Sequence, residues 1–172
     1  FFCLLWLILL EGLLYAMPPV QRMVLPNRLI LLVSEEHSLP FITVHLLIDA
    51  GSRRDPSGEE GLARLTARGL LLGTSSRTVA TFNEELDFMG ASLNASVGRD
   101  YATLSLRVLK KDMEKGFGLF MDALTQPAFP EEQIKREVEK TLGAIRAAED
   151  DPGEVAEKEF QKTLFPASPY GH

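Results

Sequence analysis

The chain has 172 residues, 45% hydrophobic and 24% charged, the balance of an ordinary globular domain long enough to bury a sizeable core. Its formal net charge is −6 and it carries no basic run, which argues against a nucleic-acid partner. One cysteine, Cys3, rules out a disulfide framework.

The first ten residues, FFCLLWLILL, form a continuous apolar run. Glu11 and Gly12 interrupt it, Leu13-Leu14-Tyr15-Ala16 resume it, and Pro18-Pro19 end it. A bilayer-spanning helix needs about 20 apolar residues, so this run is too short to cross as one helix. It suits the hydrophobic region of a secretory signal cleaved near Ala16, giving a leader over 1–16 and a mature domain over 17–172. The chain is then expected to be exported, to the periplasm or the exterior. A buried N-terminal helix is the alternative.

Beyond the leader, Leu29 to Val33 and Phe41 to Ile48 are rich in Ile, Val and Leu and read as strands. A turn rich in Gly, Ser, Arg, Asp and Pro follows over residues 51–58, and Glu59-Glu60 favour the positive end of a helix starting near Gly61. Thr78 to Met89 is a second helix, capped by Thr78 and closed by Gly90. Ser92 to Val97 and Ala102 to Val108 read as a hairpin around Gly98-Arg99-Asp100, with Ala102, Leu104, Leu106 and Val108 on one face. Lys111 to Leu124 is helical, with Met113, Phe117, Phe120 and Leu124 spaced as a buried stripe. Glu131 to Glu149 is the longest helix, lined on one face by Ile134, Val138, Leu142 and Ile145. Asp150-Asp151-Pro152 ends it and starts a last helix running to Phe165. The order predicts an α+β fold, a mainly antiparallel sheet with helices on one face.

Within GLARLTARGLLLGT, residues 61–74, helical spacing puts Arg64 and Arg68 on one face with Ala67 beside them. Guanidinium groups have no free lone pair and stay charged, so they cannot ligate a metal. The two arginines form either a solvated basic face or a contact surface for the carboxylates of a substrate or partner, and Glu137 is the third contact candidate. His37, His45 and His172 lie in a loop, a strand and the chain end, without ligand spacing. Gly69 and Gly73 read as breakers at the helix end.

The frame Gly61-Leu62-Ala63, a five-residue slot, and Gly69 to Gly73-Thr74 resembles the zinc helix of the insulinase, pitrilysin and mitochondrial processing peptidase family. The strands before it, the helix and hairpin after it, and LFPASPYGH near the end follow the family in order. The resemblance departs at Arg28, where the family has Gly in an Asn-Gly turn, and at Ser168, where it has His. Arg28 argues against a tight primed turn at Asn27.

In active members the slot reads H-x-x-E-H, whose imidazoles hold zinc and whose carboxylate takes a proton from bound water. Here it reads Arg64-Leu65-Thr66-Ala67-Arg68. The family's third ligand, a glutamate on a later helix, falls at Ala144 within REVEKTLGAI, and the family's supporting acid falls at Glu137. The resemblance thus implies the first domain of a peptidase half that has lost its ligands and general base, and so no zinc cofactor. It implies a partner carrying zinc, as a separate subunit or a C-terminal half, around a shared peptide substrate. A scaffold that has left proteolysis is the second reading, and an active zinc endopeptidase the third.

Overall fold

The structure, a computed structural model, describes residues 18–166 and 168–171. The expected leader, with Cys3 and Ala16, lies outside the described residues, as does His172. The chain divides into two compact units, one reaching to Pro40 and the other starting at Phe41.

The first unit holds a hairpin that the sequence reading only half anticipates. Strand β1 (Val20–Val24) precedes β2 (Ile30–Ser34) and pairs with it antiparallel, Val20 facing Ser34 and Val24 facing Ile30. The connection is not a two-residue primed turn. The Arg28 N–H donates to the Leu25 carbonyl at 2.8 Å, and the Leu25 N–H donates to the Leu29 carbonyl at 2.9 Å. Arg28 itself takes the left-handed conformation, φ 68°, which glycine adopts without steric cost. The arginine therefore changes the turn type without abolishing the hairpin.

The second unit is built on a three-stranded antiparallel sheet in the order β3-β5-β4, with β3 (Phe41–Ile48), β4 (Ser92–Val97) and β5 (Ala102–Leu109). The registers Val44 to Leu106 and Leu93 to Leu106 put apolar residues of all three strands on one face. Strict alternation on β5 gives that face Leu104, Leu106 and Val108, all fully enclosed.

Five α-helices occur among the described residues: α1 (Leu62–Gly69), α2 (Val79–Met89), α3 (Met113–Thr125), α4 (Glu131–Glu149) and α5 (Pro152–Leu164). Phe82, Leu86 and Met89 of α2 and Leu119, Phe120 and Ala123 of α3 close the core over the sheet. Each large apolar side chain so enclosed stabilises the fold by roughly 1.5–3 kcal/mol. Arg77 ties the two helices together, reaching Glu85 at 2.8 Å and Asp122 at 2.5 Å.

Local signals explain the helix ends. The Thr78 hydroxyl accepts from the Thr81 N–H at 3.2 Å, and Gly90 ends α2 at φ 59°. Asp151 caps α5 by accepting from the Gly153 N–H at 2.8 Å, with Pro152 in the first turn.

The stripe expected on α3 is turned from its true inner face. Phe120 is buried and Leu124 packs against the core, but Met113 and Phe117 are exposed, and the fully buried residues are Gly116, Leu119, Phe120 and Ala123. The cause is Gly116. A Cβ there would stand 2.9 Å from a methyl of Val108, so only glycine lets the helix settle this close to β5. An apolar count along the sequence cannot register a residue that packs by having no side chain.

Candidate functional site

The site belongs to α1 and to α4, which packs against it. Asp55 satisfies the first N–H groups of α1. Its carboxylate accepts from the N–H groups of Gly61 and Ala63, each at 2.8 Å. Gly61 can turn into the helix at φ 101° because it has no Cβ. The anionic cap also suits the positive end of the helix dipole. Its sequence signal was an aspartate in the GSRRDP turn, which carries no fixed spacing to the helix it caps.

At the other end, Gly69 is helical rather than a breaker. A Cβ on it would lie 2.5 Å from the ring of Phe129, which leads into α4. Phe129 itself sits at φ 44°, a strained backbone for a bulky residue, held where its ring meets Gly69. Ile134, the first residue of the apolar face of α4, also reaches Gly69. Gly73, at φ 89°, is the true turn residue. These contacts hold the C-terminal end of α1 against the start of α4.

That packing brings together two of the residues singled out from the sequence. Arg68 and Glu137 approach with Arg68 Nη1 3.6 Å from Glu137 Oε2. The Glu137 side chain is 20% exposed, and its Oε2 is closed to solvent with no hydrogen-bond partner among the described residues. Its other oxygen faces Lys140 at 3.9 Å. Arg64 is exposed, and its guanidinium makes no ion pair among the described residues. Ala67 is buried in the flank of α1, and Ala144 is exposed on α4. Val138, Leu142 and Ile145, aligned on one face of α4, are exposed as well.

Zinc requires three or four nitrogen, sulfur or oxygen donors around one point. Here α1 presents two guanidinium groups and a methyl group, and Ala144 presents another methyl. The one carboxylate drawn to them, Glu137, already faces a cation. Among the described residues, no three His, Cys, Asp or Glu side chains gather at any point. This donor set does not fit zinc.

Beside the helix, a cleft of about 280 Å³ lies under Leu62, Ala63, Thr66 and Ala67, walled by Ile48 and Ala102 of the sheet. A second of about 360 Å³ lies between Leu62, Leu65, Phe129 and Ile134. The hairpin tip beyond β4 is fixed separately. A Cβ on Gly51 would fall 2.1 Å from the Arg99 carbonyl, so the Gly51 backbone lies directly on the tip. Arg99 donates to the Tyr170 carbonyl at 2.6 Å and to the side chain of Gln161. The Tyr170 hydroxyl donates to Asp100 at 2.5 Å. That bond raises the Tyr170 phenol above its usual 10.0.

The comparisons agree with this architecture. The profile of the insulinase family (peptidase family M16) matches residues 31–172. An uncharacterized zinc protease of Rickettsia bellii is 30% identical over 138 residues, 78% of this chain and 34% of that protein. A probable mitochondrial-processing peptidase subunit beta of Arabidopsis thaliana is 30% identical over 154 residues, 90% of this chain and 29% of that protein. Among solved structures, a peptidase M16 inactive domain from Pseudomonas fluorescens superposes with a TM-score of 0.86 at 28% identity. That match covers 90% of this chain and 38% of the other. The chain thus spans about a third of the length of the curated relatives it matches. With the sheet, the helix pair and the matched residues all in agreement, the chain belongs to the insulinase family of peptidases, M16.

Proposed function

We propose that this chain is a non-catalytic insulinase-family component, the supporting side of a peptide-holding chamber whose chemistry is done by a zinc-carrying partner. One observation carries the reading. At the places where the family's zinc helix has imidazoles and a carboxylate, α1 has Arg64, Ala67 and Arg68, and Arg68 faces Glu137 at 3.6 Å. No proton acceptor stands where the general base would, and Ala144 cannot complete a metal shell.

The rest of the site suits a wall. Among the described residues β4 pairs with no strand but β5, so an extended peptide can add along its other edge through backbone hydrogen bonds. Arg64, exposed on α1, is placed to meet acidic groups of a peptide or partner. Two named relatives support the reading by analogy, one called an inactive domain and one a subunit. The zinc-bearing partner is a second insulinase-family chain or a C-terminal half. Export and maturation near Met17 rest on the apolar leader alone.

The test is recovery of the tagged chain from its native envelope fraction, with sequencing of its mature N-terminus and assay of the chain alone and in complex. The reading expects an insulinase-family partner with an intact H-x-x-E-H motif and peptide cleavage only in the complex. Cleavage by the isolated chain would end it. A complex without such a partner would favour a scaffold role, and an unprocessed cytoplasmic chain would remove the export claim.

A further inference from the structure

We infer that Arg68 supplies, as a built-in cation, the positive charge that the retained Glu137 carboxylate faces, and that this pair fastens α1 to α4. The inference deepens the proposed function and rests on it only in taking position 68 for a former ligand position. The geometry stands by itself.

Glu137 is four-fifths buried, and its Oε2 is sealed from water without a hydrogen-bond partner among the described residues. A carboxylate in that setting is costly unless an opposite charge lies close. Two cations are available. Lys140 stands 3.9 Å from Oε1, one turn along the same helix, but its own side chain is 70% exposed and its charge is largely hydrated. Arg68 reaches the sealed oxygen from the other helix at 3.6 Å. Among the described residues it is the one cation from another helix that pairs with Glu137.

The consequence is an asymmetry. Removing Arg68 alone strands Glu137, whereas removing both charges leaves two helices that still pack through Gly69, Phe129 and Ile134. Arg64, exposed on the same helix and without an ion pair among the described residues, is the internal control.

The experiment is a double-mutant cycle on the full chain, with Arg68→Met, Glu137→Gln, the double variant and Arg64→Met compared by urea unfolding at neutral pH. Arg68→Met is expected to lower the folding equilibrium constant roughly 10- to 100-fold, the range for one stranded polar group. Glu137→Gln in that background should restore it to within a few-fold of the parent, and Arg64→Met should change it by less than about three-fold. If Arg68→Met does not fold, folding of the double variant reports the same coupling. Additive effects, or an Arg68→Met loss no larger than that of Arg64→Met, would overturn the inference. A zinc-free parent with additive variants would leave the non-catalytic reading standing and remove only this one.

Discussion

The core over the sheet and the face shared by α1 and α4 are held together in different ways. In the core, Phe82, Leu104, Leu106, Val108 and Leu119 are enclosed in a dry cluster, and every member depends on its neighbours' shapes. At the α1–α4 face, Arg64, Arg68 and Ala144 are exposed, Ala67 and Gly69 are buried, and Glu137 is largely so. The fold is therefore carried by residues whose replacement leaves cavities, and the exposed part of the α1–α4 face by residues whose replacement leaves almost none. On the proposed reading, such a face can lose its ligands while the domain keeps its shape. It is stabilised instead by a few close approaches, at Gly69 and Phe129, and by one ion pair.

The sharpest way to break the comparison is to cut into both regions. Phe82→Ala should cost about 3–5 kcal/mol, the usual loss for a fully buried aromatic ring, read from chemical unfolding. A loss under about 1 kcal/mol would mean that the core is not the element holding the domain together.

Gly69→Ala should cost about 1–3 kcal/mol, since its methyl would enter the Phe129 ring. Much of that loss should vanish in the Phe129→Gly background, which removes the ring and relaxes the backbone at φ 44°. Equal costs of Gly69→Ala in both backgrounds would show that the contact does not hold α1 to α4.

The smallest effect concerns the hairpin tip and depends on pH. The Tyr170 phenol is raised by its bond to Asp100, so the folded chain keeps this proton to a higher pH than the unfolded chain does. The contribution is complete below the unfolded value near 10.0 and fades as pH rises through the higher folded value. In Tyr170→Phe this alkaline loss should be absent from a pH series of thermal midpoints. A parent and variant with parallel profiles above pH 10 would exclude the linkage.

How far the letters alone reach follows the same division. The alternation from Ala102 to Val108, the Thr78 cap and the Gly90 stop are local patterns with local causes, and the structure repeats them. What escapes is set by contacts distant in sequence or by missing atoms. Gly116 turns α3 by lacking a side chain, Asp55 caps α1 across a loop, and Gly69 serves a ring sixty residues away. Strand β1 escapes because VQRMV is broken by two polar residues and gains its identity only by pairing with β2. At the site, the residue types at positions 64, 67, 68 and 144 are readable at once. The approach of Arg68 to Glu137 needs the helices in place.

The central proposal is that this insulinase-family domain carries no metal site of its own. Elemental analysis of the purified full chain, after dialysis against buffer with a little added zinc, tests it most directly. The account predicts zinc far below one equivalent per chain, unchanged in Arg64→Ala. About one zinc per chain, retained through dialysis, would contradict it.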